Sequence, residues 1–226
     1  MPPAPEALVT AVQQGDAAAV SLWLARNPEL AGARTAQGLS LVMLALYYQH
    51  PEVARIFVEQ GAPLDLHEAA AAGAVERVRE LLDAEPGQVN RPAADGFPAL
   101  GLACFFGHRD VVRLLIDRGA DVNQAAENAL RVAPAHAAAA RRDAVTLAML
   151  LAAGANPNAV QQKGFTPLHT AASEGQRAMV ELLLSHGADP RIRCADGRLP
   201  EDLAREKGHD AVADILEEER LLRPNE

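Results

Sequence analysis

"GFTPLHTAA", residues 164–172, puts a threonine, a proline and a histidine at the head of an apolar stretch. A histidine after a turn can be a general base, a metal ligand or a piece of scaffold. The choice separates an enzyme from a binding surface. Thr166 is a good helix N-cap, and Pro167 suits the first helical turn, where its missing N–H costs no hydrogen bond. The small Ala171 and Ala172 allow a neighbour to approach closely, and Gly175 ends the helix. Beyond it Met179, Val180, Leu182 and Leu183 recur at helical spacing on a second helix, which Gly187 closes. The stretch predicts a hairpin of two short helices, and one such hairpin cannot bury its apolar face alone.

The same pattern recurs along the chain. With His169 as the mark, Gly175 lies six residues on, Leu182 to Leu184 lie 13 to 15 on, and Gly187-Ala188 begins 18 on. From Gly101 the ruler finds Gly107, Leu114 to Ile116, and Gly119-Ala120. From Met43 it finds Ile56 to Val58 and Gly61-Ala62. From His136 it finds Met149 to Leu151 and Gly154-Ala155. Weaker copies start at Val9, His67 and Asp202. The steps between the seven marks are 34, 24, 34, 35, 33 and 33 residues, a fixed period of the kind that marks a repeat architecture.

On these residues the chain resembles the ankyrin repeat family. "GFTPLHTAASEGQRAMVELLLSHGADP" (164–190) is one such repeat and "DGFPALGLACFFGHRDVVRLLIDRGADVN" (95–123) a second. The resemblance implies an all-α ankyrin-repeat solenoid of about seven helix-turn-helix repeats with short β-turn fingers. The expected organisation is one domain, 1–226, with repeats at about 5–35, 36–65, 66–92, 93–124, 125–159, 160–192 and 193–220. Small residues on the first helices and bulky ones on the second should curve the stack, with the first helices lining its concave side. In the family, the histidine after Thr-Pro-Leu braces the turn through hydrogen bonds. His169 and His136 occupy that slot, and His67 matches it by spacing.

Bulk properties agree with a packed, soluble chain. Of 226 residues, 49% are hydrophobic and 23% charged, enough to bury a core. A net charge of −9 argues against a nucleic-acid partner, which needs a basic face. Two cysteines, Cys104 and Cys194, make neither a disulfide framework nor a zinc pattern. "HEAAAAG" at 67 lacks a second histidine four residues on and so is no metalloprotease motif. No cofactor or metal is expected. The N-terminus "MPPAPEALVTAVQQ" lacks a basic start followed by an apolar run, and the longest apolar stretch, "VTLAMLLAAGA" (145–155), is too short to span a membrane. The expectation is a cytoplasmic, monomeric protein.

Several departures from the repeat are informative. The step of 24 leaves "GAPLDLH" (61–67) without the residues for a finger, so the third repeat should present none. In the fifth repeat Arg131 and Arg142 stand where glycines belong, which should strain the backbone there. At the C-terminal end Glu217 to Arg220 give the polar outer face of a terminal repeat, Asp202 replaces the histidine, Leu199 replaces the threonine, and about the last eight residues should fray.

The resemblance also implies where a partner would be met: at finger tips and at the exposed end of each first helix. These positions include Leu39, Tyr47, Tyr48, Ala71, Ala72, Phe97, Phe105, Phe106, Arg141, Lys163 and Phe165. Six of the eight aromatic residues fall among them, a clustering expected of a contact surface. The reading is a non-catalytic module that binds a partner protein on its concave face. The expected anchor is an aromatic notch near repeats 2–4, with Ala71 and Ala72 as floor and the tyrosine and phenylalanine pairs as walls. The bland alternative is that these aromatics close over the gap as core. The functional alternatives are an inhibitor or immunity protein for an enzyme, or an enzyme with a site assembled across repeats.

Overall fold

Caps and glycines divide the chain into fourteen short helices among residues 3–223, which the structure, a computed structural model, describes. They form two compact units, Met1–Gln88 and Val89–Glu226. The first holds α1 (Glu6–Gln14), α2 (Ala17–Arg26), α3 (Leu41–Tyr47), α4 (Pro51–Glu59), α5 (Leu66–Ala72) and α6 (Val75–Ala84). The second holds α7 (Ala99–Phe106), α8 (Arg109–Asp117), α9 (Pro134–Ala140), α10 (Ala144–Ala152), α11 (Pro167–Ser173), α12 (Arg177–Ser185), α13 (Pro200–Glu206) and α14 (Asp210–Leu222). There is no strand among the described residues, only an isolated bridge between Arg34 and Ser40 in a finger.

Within each unit consecutive helices pair as hairpins, and the first helices of successive hairpins stack. In the second unit α7 packs on α9, α9 on α11, and α11 on α13, while α8, α10 and α12 form the second layer. The stacked helices are rich in alanine: Ala103, Ala138, Ala139, Ala171, Ala172 and Ala204 are completely buried. Without side chains beyond Cβ, the backbones can come close. Bulk is supplied by the second helices, where Leu115, Leu147, Leu150, Val180 and Leu183 are also fully buried. Each of these helices ends on a left-handed glycine followed by alanine. Ala120, Ala155 and Ala188 N–H groups donate back to Leu115, Leu150 and Leu183 carbonyls at 2.9 Å, satisfying groups a helix end otherwise leaves open.

Asparagines then stitch one hairpin to the next. Asn90 Nδ2 donates to the Gly119 carbonyl at 3.2 Å and its Oδ1 accepts from Asp121 N–H at 2.7 Å. Asn123 does the same with Gly154 and Asn156, and Asn158 with Gly187 and Asp189. Arg109 and Asp143 link α8 to α10. The guanidinium meets both carboxylate oxygens at 2.8–3.1 Å, while Asp143 N-caps α10 by accepting from Thr146 N–H at 3.1 Å and from its hydroxyl at 2.8 Å.

The histidine of the opening stretch is a brace. Thr166 is the N-cap of α11 and His169 its third residue. His169 Nδ1 accepts from Thr166 N–H at 3.2 Å and lies 2.8 Å from Thr166 Oγ1. His136 repeats this with Ala133 N–H at 3.3 Å, and its Nε2 donates to the Phe165 carbonyl of the next finger at 3.1 Å. The equivalent carbonyl for His169 is that of Arg198. It raises the affinity of the ring for a proton, but already accepts Cys194 N–H at 3.0 Å and the Cys194 thiol at 3.3 Å, and His169 Nε2 is left buried with no hydrogen bond of ordinary geometry.

In α13 Asp202 takes over the bracing of the turn: its Oδ2 accepts Leu199 N–H at 2.8 Å. The third repeat corrects the expectation for His67. Its helix begins after Asp65, one residue later than spacing to Gly73 implies, so the third helical residue is Glu68. Glu68 Oε2 accepts Asp65 N–H at 3.1 Å and Asp65 Oδ1 accepts Glu68 N–H at 2.8 Å, a full capping box. Only six residues, 60–65, join α4 to α5, which leaves no finger there. Arg131 and Arg142 do adopt left-handed backbone, with φ of 51° and 58°. The expected fraying of about the last eight residues does not hold for residues 219–222, which are helical. Helix α14 runs to Leu222 because Arg220 holds Glu201 through two bonds of 2.9 and 3.1 Å; residues 224–226 lie outside the described part.

Two stability measurements check this account. His169→Ala removes a buried brace and should lower stability by about 1–2 kcal/mol in chemical denaturation. Asp143 is depressed to a pKa of about 2: burial pushes it up, and the Arg109 and Thr146 bonds more than reverse that. Its folded value lies below the unfolded 3.8, so its contribution is present above the unfolded value and is lost as pH falls through about 2. Asp143→Asn should therefore cost about 2 kcal/mol at neutral pH and flatten the acid limb of the stability profile. An unchanged acid limb in that variant would show that the Arg109–Asp143 pair contributes nothing.

Candidate binding surface

The titratable groups nearest to chemistry are tuned for packing. Burial lowers the pKa of both His136 and His169, so both stay neutral, and each ring is committed to its own turn. Cys104 is 1% exposed, and burial, then the charge of Asp143, raise its pKa so that it stays a thiol. Cys194 is buried as well, its pKa raised by burial and by the bond its thiol makes to Asp196 Oδ1 at 2.8 Å. Among the described residues no group of three or more histidine, cysteine or acidic side chains is placed to hold a metal ion.

What remains at the surface is apolar and positioned by helix ends. In the first unit Tyr47 ends α3 and Tyr48 follows it, and they are 41% and 48% exposed. The Tyr48 hydroxyl accepts from Gln13 Nε2 at 3.1 Å, which fixes its ring. Leu39 is half-buried at its finger. Ala71 is completely buried and Ala72 half-buried. This corrects the expected notch: Ala71 is fully covered and cannot serve as an open floor. The notch's intended walls also fall in different units.

In the second unit Phe105 is 47% exposed at the end of α7. Phe106 is half-buried and meets Phe105 edge to face, with ring centroids 5.1 Å apart. The pair settles the question of exposure with one member each way: Phe106 is the pedestal and Phe105 the exposed ring. Beside it, exposed Arg141 donates from Nη1 to the Phe105 carbonyl at 3.1 Å. Its guanidinium occupies the space a side chain on Gly107 would need, since a Cβ there would lie 2.8 Å from Arg141 Nε. Glycine at 107 thus lets Arg141 lie over the end of α7, next to the exposed ring. Arg142 is drawn off instead to Glu174 at 2.6 Å. At the fingers, Phe97 and Phe165 are half-buried, and Phe165 leans on the His169 ring at 5.4 Å. Lys163 is exposed, with left-handed backbone at φ 62°.

Among the described residues Leu22, Leu130, Val145, Val160, Leu221 and Leu222 are exposed apolar residues that escaped the sequence reading. Leu130 and Val160, 47% and 48% exposed, sit on neighbouring fingers. The signal for Leu130 is the step of 35 from Gly101 to His136: the two additional residues lengthen that finger, which closes from Ala126 N–H to the Val132 carbonyl at 3.0 Å, and carry Leu130 outward.

Comparisons with known proteins agree with this architecture. A family model described as ankyrin repeats (3 copies) matches residues 66–126 and 134–222. The human ankyrin repeat and SAM domain-containing protein 3 is 37% identical over 65 residues, 29% of this chain and 10% of that protein. Cortactin-binding protein 2 of Ornithorhynchus anatinus is 43% identical over 63 residues, 28% of this chain and 4% of that protein. The matched part thus spans a tenth or less of either relative. With the family model covering well over half of the sequence, and capped helix hairpins repeating across it, the chain belongs to the ankyrin repeat family.

Proposed function

We propose that the chain is a non-catalytic module that binds a partner protein through the exposed ends of its first helices. Ankyrin repeats generally serve as protein-interaction modules. The observation that carries the reading for this chain is the exposure of Tyr47, Tyr48 and Phe105 at the ends of α3 and α7, where other aromatic side chains such as Phe57 are buried. Half-exposed aromatic rings held by a hydrogen bond or a pedestal lose little side-chain freedom on binding, and such residues dominate interface energies. Arg141, fixed beside Phe105, adds a cation that steers an acidic partner. No helix among the described residues is long and apolar enough to cross a membrane. The partner is therefore sought first among soluble proteins.

The experiment is affinity capture from lysate with mass spectrometry, then affinity and melting measurements on the same variants. Phe105→Ala and Tyr48→Ala should each weaken the captured partner by about 2 kcal/mol, while the unfolding midpoint moves little. If these rings were core, the same changes would cost about 3–5 kcal/mol of folding stability, and any loss of binding would follow unfolding. Full affinity in both variants overturns the placement of the surface.

A further inference from the structure

The fingers of the second unit form a ladder in which each turn accepts a hydrogen bond from the next. Glu127 N–H donates to the Gly96 carbonyl at 2.8 Å, Gln162 N–H to Leu130 at 2.9 Å, and Ala195 N–H to Lys163 at 2.8 Å. The middle rung brings two exposed apolar side chains onto adjoining fingers: Leu130 itself, and Val160, two residues before Gln162. It brings two cations with them. Arg131 follows Leu130 and Lys163 follows Gln162; both are exposed, and both have left-handed backbone, φ 51° and 62°.

These cations differ from many arginines elsewhere in the same unit. Arg109, Arg142, Arg177 and Arg220 each hold a carboxylate within 2.6–2.9 Å. Neither Arg131 nor Lys163 has a carboxylate partner among the described residues, although the chain carries 30 acidic residues against 21 basic ones. Arg193 on the next finger is also without one, its guanidinium bonding the Gly197 carbonyl instead. The acid of this finger, Glu127, has its backbone N–H on the rung to the Gly96 turn. The edge shared by the fifth and sixth fingers is thus apolar and basic on an acidic protein.

We propose that this finger edge docks an acidic segment of a partner protein, with an apolar side chain against Leu130 and Val160 and carboxylates on Arg131 and Lys163. The assignment rests on the reading of the chain as a protein-binding module and names the chemistry of what it takes. Charge complementarity selects the occupant: unpaired cations beside an apolar pair favour a carboxylate-bearing segment and reject a basic one. A contact made by a few exposed side chains, two of them charged, is sensitive to salt.

The test is an amide chemical-shift titration of the full chain with a blocked octapeptide of alternating aspartate and leucine. The proposal expects saturable shifts centred on Leu130, Arg131, Gln162 and Lys163 that fade in high salt. Charge reversal by Arg131→Glu with Lys163→Glu should weaken binding by about tenfold or more, and Leu130→Ser should weaken it with the charges intact. The same peptide with lysine for aspartate should not bind. Equal binding of the lysine peptide or of an oligothymidylate, shifts confined to Phe105 and Arg141, or no loss in the Leu130→Ser protein would each overturn the proposal. If a partner that depends on Phe105 still binds the charge-reversed chain at full strength, the finger assignment fails and the binding-module reading stands.

Discussion

Everything in this structure hangs on one local requirement: the first N–H groups of each first helix are buried in the stack and must find acceptors there. A stack of hairpins brings the starts of its helices against the next turn, away from water. An unpaired backbone N–H in that position would cost more than most single contacts contribute. In four hairpins the third helical residue reaches back to the N–H of the cap. Histidine does this at 136 and 169, aspartate at 202 and glutamate at 68. The chemistry demands an acceptor of the right reach rather than a particular residue, which is why Asp202 and Glu68 can stand in. Histidine adds a second function that a carboxylate cannot: its other ring nitrogen donates to the next finger, as His136 does to Phe165. The His136 ring therefore holds its turn closed and locks it to its neighbour, and it works only when neutral.

The polar network also separates scaffold from surface. Groups that would invite a catalytic reading are consumed by folding: both slot histidines, both cysteines, and Asp143 with its arginine and threonine. Residues that contribute least to folding stand out in turn. Phe105 rests on Phe106, Arg141 on Gly107, and Leu130 and Val160 on a single hydrogen-bonded rung. Phe105, Arg141, Leu130 and Val160 all keep an exposed face. Rigid, exposed side chains are what an interface uses, because little freedom is lost when a partner arrives.

Departures from the repeat have different physical meanings. The third hairpin loses its finger and begins one residue late, and an Asp–Glu capping box repairs the start. In the fifth, arginine replaces glycine at two left-handed positions, which costs backbone strain. The finger nevertheless keeps its closing bond from Ala126 to Val132 and its rungs to both neighbours. Strain there is tolerated because the ladder on either side over-determines the turn. In the C-terminal hairpin, Arg220 and Glu201 tie α14 back onto its own partner, α13.

The amino-acid sequence by itself determined the repeat and its helix pairs, because these depend on local rules: helical spacing of apolar residues, caps, and glycine where backbone turns left-handed; the bracing role of His169 was implied by the family resemblance. It also placed aromatic residues at helix ends. What it left open was which of two adjacent aromatics faces outward, since that depends on the neighbouring hairpin rather than on the helix carrying them; the tertiary structure puts Phe105 out and Phe106 half in. Spacing alone misplaced the brace of the third repeat on His67, because the start of a helix is decided by the best cap available, and Asp65 is that cap. Ala71 read as an exposed small residue and is buried, because a methyl at a stacking position is covered by whatever packs over it. The finger edge of Leu130 and Lys163 emerged only in three dimensions. Its residues lie some thirty positions apart in sequence, and a backbone hydrogen bond between fingers is what makes them neighbours.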